Sequence, residues 1–375
     1  MKKVLLNILI VCIGAMIVIA GCKKMDSTYS QYVVPNGIKY AGKANGAVAF
    51  AGNTRVKIAW PRGADPLVKR AVVSWDNNAD SVSVDYPATG DSISVVISGL
   101  EERTYSFIIK TYDAEGHASV PVELITKVYG SIYEEGLLNR PVTNGKIMAS
   151  GTDVTITWGL ANITDGASAT EVKYLNTNGD SVTRQFSITE TTSTLSGLKE
   201  GTYFKYRTLY KPDSLSIDYF YTPYQDFKNM ALNKTVWNVV EFSDEHAEPG
   251  GGAAAVIDGT FTTRWHSQAI PSAAPYPHWV IVDMKSEYRF TQFGVERTNK
   301  DAPGGDNRGP DTFEVLLSPD KNTWTSLGVF NFDRHSNGEQ LFTITSEAKG
   351  RYFKFVGLTG EGPYMVLGEI SAYGF

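Results

Sequence analysis

The chain has 375 residues, which is two to three times the length of a typical domain, so several domains are expected. Hydrophobic residues make up 42% of the chain and charged residues 20%, a balance that excludes a disordered protein. The net charge of −5 and the lack of a Lys/Arg patch in the sequence exclude nucleic acid as a partner. The only cysteines, Cys12 and Cys22, exclude a disulfide framework and a cysteine-based zinc site.

The first 22 residues have the pattern of a secretion signal. Lys2 and Lys3 precede an apolar stretch of about 16 residues at positions 4–19, which is short for a membrane span. Small residues then lead directly into Cys22, an arrangement that resembles a bacterial lipobox, in which the cysteine is lipidated. An ordinary signal peptide and a marginal anchor helix are the alternatives. We expect a lipoprotein signal at 1–22, a lipid on Cys22 and a tether at 23–40.

Two stretches of sequence recur with the same offset. The segment TRVKIAW at 54–60 matches TDVTITW at 152–158, and LEERTY at 100–105 matches LKEGTY at 198–203. Two pairs of matching segments with the same offset indicate tandem copies of one unit. We place the copies at residues 41–130 and 131–228, and we expect residues 31–44 to be tether rather than core.

Each copy has the pattern of a β-sandwich. Apolar residues alternate with polar or small ones in strands such as 56–60, and Asn178-Gly179 predicts a two-residue hairpin between 171–175 and 181–186. The segment from Leu100 to Tyr105 resembles the tyrosine corner of a fibronectin type III domain, with Trp60 and Trp158 in the cores. The pair also resembles an uncharacterised two-repeat module of lipoproteins from polysaccharide-scavenging bacteria, which implies a spacer role. His117 is expected to be a solvated loop residue.

The last 147 residues, 229–375, contain ordered motifs of a third module. Strand-like runs occur at 278–283, 312–317 and 352–356, and no amphipathic helix of ten residues is predicted. The motifs are ALNK at 231–234, AAVIDGTFTTRWH at 254–266, PHWVIVD at 277–283, SPDKNTW at 318–324 and GEI at 368–370. Together they resemble a discoidin domain, also called the coagulation factor five/eight C-type domain, whose bacterial members are similar to family 32 carbohydrate-binding modules.

This resemblance completes the predicted architecture. It implies a jelly-roll β-sandwich of the galactose-binding type, with ligand loops at one end. The predicted fold class is therefore all-β: two tandem immunoglobulin- or fibronectin-like sandwiches followed by a galactose-binding-like jelly roll.

The turn at 258–259 is a candidate calcium loop. An Asp-Gly turn followed by threonines offers the carboxylate, hydroxyl and carbonyl oxygens that Ca²⁺ prefers. In the resembling modules this loop and a late glutamate hold a structural calcium ion. For this chain the resemblance implies Asp258, Thr260, Thr263 and Glu369 as ligands, with the Ala255 carbonyl. An ordinary Asp-Gly turn without an ion is the alternative.

Sugar recognition requires an aromatic face and planar polar groups. In the sugar-binding relatives these are a histidine after the calcium loop, an arginine at a strand end, a nearby asparagine and a late-loop aromatic. The long polar loop at 301–310, which no core needs, offers Asn307 and Arg308 as candidates. The resemblance implies His266, Arg297 and Tyr364, with Asn299 and Asn307 competing for the asparagine position. We expect Arg297 and Tyr364 to lie in exposed rim loops, where they contribute little to folding, and His278 to be structural.

The sequence contains no nucleophile elbow, zinc-protease motif or phosphate loop, and the three modules leave no segment of catalytic size. We predict a non-enzymatic, glycan-binding lipoprotein anchored by Cys22 on the outer-membrane surface, with partner proteins of a polysaccharide-uptake system. The alternative is an adhesion or scaffold lipoprotein that binds a protein or host matrix. A less favoured alternative is an accessory subunit of a glycan-degrading system.

Overall fold

The computed structural model describes residues 30–35, 37–246, 251–300 and 304–375. The chain divides into two compact units, Met1–Val128 and Tyr129–Phe375. The predicted signal peptide and Cys22 lie outside the described residues. Among these described residues, regular structure is almost all β, with a few short 3₁₀ turns and one five-residue α-helix, α1 (Ser131–Glu135), which confirms the predicted all-β class. In the described ranges, the helices are all too short or too polar to cross a membrane.

The first unit is a sandwich of two antiparallel sheets. Its strands are β1 (Val48–Ala51), β2 (Arg55–Pro61), β3 (Val68–Trp75), β4 (Asp80–Asp85), β5 (Ser92–Ser98), β6 (Thr104–Asp113) and β7 (Val122–Lys127). One sheet has the order β1-β2-β5 and the other β4-β3-β6-β7. The alternating apolar side chains of both sheets meet in one core that contains Trp60 and Phe107, as the period-2 pattern requires.

The first unit contains the predicted tyrosine corner and the end of the predicted tether. The backbone N–H of Glu101 donates to the Tyr105 hydroxyl over 3.1 Å, which is the bond expected of a tyrosine corner. The fibronectin-like assignment itself stays a prediction. The expectation of a tether up to residue 44 is wrong at its end, because Ala44 is buried in the core and the Thr111 hydroxyl donates to the Gly42 carbonyl.

The second repeat opens the larger unit. Its strands are β8 (Val142–Ile147), β9 (Val154–Trp158), β10 (Ala167–Leu175), β11 (Ser181–Ser187), β12 (Thr192–Leu195), β13 (Phe204–Tyr210), β14 (Phe220–Tyr221) and β15 (Gln225–Phe227). One sheet has the order β11-β10-β13-β14, with β15 also paired to β13. Trp158 is buried as expected. The predicted hairpin is formed by β10 and β11, but its loop spans residues 176–180 rather than two residues.

The C-terminal part is a β-sandwich whose core is rich in phenylalanine. Its strands are β16 (Met230–Ala231), β17 (Asn238–Phe242), β18 (Trp265–His266), β19 (His278–Tyr288), β20 (Phe290–Glu296), β21 (Pro310–Ser318), β22 (Thr325–Asn331), β23 (Gln340–Thr343), β24 (Gly350–Gly360), β25 (Val366–Leu367) and β26 (Glu369–Gly374). A sheet of order β17-β19-β24-β21-β22 faces the strands β16-β26-β20-β23. Between them lie Phe293, Phe313, Phe353 and Phe355, with neighbouring ring centroids 5.1–6.4 Å apart.

The sheet of the second repeat continues into this sandwich. Ala231 of β16 pairs in parallel with Lys146 of β8, so that one seven-stranded sheet runs in the order β12-β9-β8-β16-β26-β20-β23. The Tyr203 ring also packs edge-on against the C-terminal Phe375, with centroids 5.1 Å apart. The predicted module boundary at 228/229 therefore falls inside one compact unit, and it stays a prediction.

Candidate functional site

A cluster of polar and aromatic side chains lies around the short strand β18. His266 is the last residue of β18, which pairs with β25, and the chain entering β25 carries Tyr364. The rings of His266 and Tyr364 lie 5.4 Å apart. The Arg308 guanidinium approaches from the 304–310 loop, with its Nη1 3.3 Å from His266 Nε2. Three separate segments thus bring an imidazole, a phenol and a guanidinium together; we call these three side chains, with Asp306, the β18 cluster.

The hydrogen bonds of His266 indicate its protonation state. Its Nδ1 lies 2.6 Å from the Ser267 carbonyl oxygen, which only a protonated nitrogen can satisfy. Its Nε2 faces Arg308, a donor, so this nitrogen accepts. Burial and the neighbouring guanidinium groups of Arg308 and Arg264 lower the pKa of His266. The imidazole is therefore neutral at physiological pH.

Arg308 is held in place by a buried carboxylate. Asp306 is 4% exposed and accepts from Arg308 Nε at 2.8 Å and from the Arg308 backbone N–H at 3.0 Å. Burial alone raises the pKa of Asp306, but the hydrogen bonds from Arg308 outweigh it and hold the pKa below its usual value. The Arg308 side chain keeps 38% of its surface exposed. A fixed and partly exposed guanidinium can pair with two adjacent oxygens of a ligand.

The structure corrects the predicted exposed position of Arg297. Its side chain is only 6% exposed and lies directly after β20 rather than in a rim loop. It donates five hydrogen bonds, to the side chains of Asn337 and Asn307 and to the carbonyls of Arg334 and Gly304. Because these donors are already used, Arg297 ties the loops together and has little left for a ligand.

The two candidate asparagines have different surroundings. Asn307 is exposed, and its Oδ1 accepts from Arg297 Nη1 at 2.6 Å, so it belongs to the framework around Arg297. Asn299 is exposed, and its backbone N–H donates to the Phe261 carbonyl. The predicted ligand role went to Arg297, although the sequence also offered Arg308 as a candidate, and no role was predicted for Asp306. The available signal was the long polar loop at 301–310, which has no role in a core.

His278 is structural, as expected. It is fully buried, with Nδ1 3.0 Å from Asp244 Oδ2 and Nε2 2.9 Å from the Pro363 carbonyl oxygen. The Gln268 backbone N–H donates to the other oxygen of Asp244. This network connects three loops at the end of the sandwich and so positions the Tyr364 segment beside His266.

The candidate calcium loop lies close to Glu369, as expected. The Gly259 N–H donates to Glu369 Oε2 at 3.0 Å, and Asp258 accepts from the Thr260 N–H at 3.0 Å and from the Thr263 hydroxyl at 2.7 Å. The Ala255 carbonyl accepts from the Asp258 N–H at 3.5 Å. All five predicted ligands therefore belong to one hydrogen-bonded group. Their oxygens are of the types that suit calcium.

A lysine already occupies part of this group. Lys234 Nζ lies 2.6 Å from Glu369 Oε1 and also donates to the Ile370 carbonyl and the Ser371 hydroxyl. Burial raises the pKa of Glu369 to about 7, although Lys234 opposes this shift. The donor set fits a calcium ion by oxygen type, but the ion and the Lys234 ammonium compete for the same carboxylate.

In the first unit, one exposed turn brings together groups of the kind that bind metals. Asp113, Glu115 and His117 each place one ligand atom within 4.8 Å of the others. His117 Nδ1 lies 2.8 Å from Asp113 Oδ2, within hydrogen-bond distance inside the turn itself. This matches the expected loop position of His117, and the turn has no buried unsatisfied group that points to an ion.

Comparison with known proteins gives two family matches. The family model described as a domain of unknown function, DUF4998, matches residues 22–220, which is more than half of the chain. The model of the F5/8 type C domain matches residues 239–370 and includes the whole β18 cluster. No curated protein matches the chain.

Solved structures similar to this chain match its C-terminal part. The C-terminal domain of a chitobiase from Bacteroides fragilis is 27% identical, with a TM-score of 0.35, and covers 39% of this chain and 97% of its own. A family 32 module from Clostridium perfringens in complex with GalNAc-β-1,3-galactose is 22% identical, with a TM-score of 0.34, and the match covers 38% of this chain and 99% of the module. The family 32 module of C. perfringens NanJ in complex with galactose is 18% identical, with a TM-score of 0.34, and the match covers 39% of this chain and 99% of the module. By the two family matches, the chain belongs to the DUF4998 family and ends in an F5/8 type C (discoidin) domain.

Proposed function

We propose that the chain is a non-catalytic glycan-binding protein and that the β18 cluster is its sugar site. The observation that supports this most directly is the grouping of a partly exposed Tyr364 ring, a neutral His266 and the fixed Arg308 guanidinium. The ring offers a surface for the apolar face of a sugar. The guanidinium offers donors for neighbouring hydroxyls. His266 is only 6% exposed, and its Nε2 becomes an acceptor for a sugar hydroxyl by exchanging its long 3.3 Å contact with Arg308.

The proposal differs from the sequence prediction in one residue. Arg308 takes the ligand-binding role first given to Arg297, because Arg308 is partly exposed and Arg297 is buried and fully engaged. A shallow site with one aromatic and a few hydrogen bonds supplies about 4 to 6 kcal/mol, a millimolar to high-micromolar affinity. Neutral and weakly binding sites of this kind suit a polymer ligand that offers many equivalent sugars.

We propose further that calcium binds at Asp258, Thr260, Thr263 and Glu369 by displacing the Lys234 ammonium. The convergence of the Asp258 loop on Glu369 supports this, since the described residues place two carboxylates beside the ammonium of Lys234. A bound ion would neutralise both carboxylates and fix the loop that precedes β18. Its role would be structural, because its ligand loop precedes His266 in the chain and is not part of the proposed sugar site.

We infer from the sequence that Cys22 is lipidated and holds the protein at the outer-membrane surface. A diacylated cysteine is a stable anchor, because two acyl chains bury enough methylene groups where one does not. The two repeats then act as a spacer that presents the C-terminal domain. Such a protein would serve a polysaccharide-uptake system together with partner proteins.

A glycan array with the full chain tests the proposed function. We expect wild-type protein to bind a subset of glycans, and Tyr364→Ala to lose them at an unchanged melting temperature. The control is Tyr219→Ala, which removes a half-exposed tyrosine outside the C-terminal domain. If wild type binds no glycan, the proposal is wrong, and an adhesion or scaffold role takes its place.

A further inference from the structure

A second groove lies on the second repeat, away from the β18 cluster. It has a volume of about 460 Å³ and follows the outer face of the sheet formed by β11, β10 and β13. The lining side chains that matter here are Lys173, Leu175, Lys205, Tyr203 and Tyr224. Nothing in the proposed sugar site or the calcium loop uses this surface.

The charges on this face are arranged unusually. Lys173 of β10 lies directly opposite Lys205 of β13, and like charges in this position destabilise a sheet. The next pair on the same face shows the ordinary arrangement, because Glu171 lies opposite Arg207 and their charged groups are 2.7 Å apart. The Lys173–Lys205 pair therefore departs from what sheet stability alone favours.

The described residues only partly compensate this positive charge. Asp226 lies 3.7 Å from Lys205 Nζ and 3.4 Å from Lys228 Nζ, so a single carboxylate serves both lysines. Lys173 is exposed and forms no ion pair within the described part of the chain. The ammonium groups of Lys173, Lys205 and Lys228 face the single carboxylate of Asp226, which leaves a surplus of two positive charges beside the groove. The net charge of the whole protein is negative.

The groove also has a fixed aromatic surface. The Tyr224 hydroxyl donates to Glu171 Oε1 at 2.5 Å, and the Arg207 guanidinium lies 4.6 Å from the Tyr224 ring centroid. The ring nevertheless remains 39% exposed, as does the Leu175 side chain. A ring held in this way offers an apolar face to a ligand without losing further conformational entropy.

We propose that this groove binds an acidic oligosaccharide, with its carboxylate or sulfate groups on Lys173 and Lys205 and a sugar face on Tyr224. Such a ligand has an apolar ring face and an anionic group on the same residue, which matches an aromatic ring next to paired ammonium groups. An acidic peptide fits less well. The groove lies on the face of the sheet, where the backbone hydrogen bonds that extended peptides use at a sheet edge are already formed. This proposal does not depend on the β18 cluster.

Calorimetric titration of the full chain tests the proposal with three probes of equal length: an oligogalacturonate, a sulfated oligosaccharide and a neutral oligogalactoside. We expect the oligogalacturonate or the sulfated probe to bind at low salt and to weaken as salt is raised, since exposed charges are screened. The double variant K173A/K205A should weaken this binding about tenfold or more. Tyr224→Leu should weaken it as well, and Tyr364→Ala should not.

Two controls separate the groove from general charge and folding effects. Lys110→Ala removes an exposed strand lysine of the first unit and should bind the acidic probe as wild type does. Lys173→Glu should melt no lower than wild type, because it replaces a repulsive pair by an attractive one, and should still lose the acidic probe. The proposal is overturned if K173A/K205A binds as wild type does, if Lys110→Ala weakens binding equally, or if no acidic probe binds.

Discussion

Replacing Arg297 by alanine should destabilise the C-terminal unit. The side chain is 6% exposed and donates five hydrogen bonds to four acceptor atoms in the 304–310 and 334–337 segments. A hydrogen bond from a charged group contributes roughly 1.5 to 3 kcal/mol, and such values are not additive. Asn307 and Asn337 are exposed, so water can replace part of what is lost. We therefore expect a loss of about 2 to 4 kcal/mol.

Thermal unfolding of the full chain measures this loss. For a unit of this size, each kcal/mol lowers Tm by about 2 to 4 °C, so the Arg297→Ala transition should fall by roughly 4 to 16 °C. The matched control is Arg184→Ala, which removes an exposed arginine on β11 and should leave Tm unchanged. Arg308→Lys should weaken glycan binding and lower Tm less than Arg297→Ala does, because the lysine ammonium can still pair with the buried Asp306. If Arg297→Ala keeps its Tm and loses only glycan binding, Arg297 contacts the ligand and our reasoning is wrong.

Three further predictions concern the binding site, the metal and the anchor. Because the pKa of His266 is lowered, glycan affinity measured by calorimetry should be constant from pH 6.5 to 8 and should fall only below that range; a change within it would contradict a neutral imidazole. Chelator should lower Tm by several degrees, since a ligand at a hundredfold excess over Kd stabilises the folded state by about 2.7 kcal/mol. Glu369→Ala should remove this effect, and Lys234→Met should strengthen calcium binding. An unchanged melting curve with chelator would count against calcium. Cys22→Ala should move the protein from the detergent phase to the aqueous phase, and identical partitioning would refute lipidation.

Local patterns were sufficient to predict several of the strands. The alternation around Trp60 places that side chain in the core because successive residues of a strand point to opposite faces. The strand-like runs at 278–283, 312–317 and 352–356 lie within β19, β21 and β24 for the same reason. The end of the tether could not be predicted in this way, since Ala44 is buried by contacts from distant strands rather than by its neighbours.

The candidate site was predicted less well because its geometry depends on how a loop folds back. The sequence placed Arg297 at a strand end correctly but gave no measure of its exposure. Gly305 has φ +104°, and a Cβ there would lie 2.3 Å from the Arg297 Cζ, so the loop covers Arg297 only because glycine allows this approach. The Gly304-Gly305 pair was the available signal. The contact between Lys234 and Glu369 joins residues 135 positions apart, and no local pattern indicates it.

A crystal structure of the chain with a glycan selected on the array tests the central claim most directly. We predict one sugar ring stacked on Tyr364, with its hydroxyls within hydrogen-bond distance of Arg308 and His266, and Arg297 buried beneath the loop without contact to the sugar. A glycan bound elsewhere on the C-terminal domain, or one held by Arg297 with Arg308 turned away, would contradict the account.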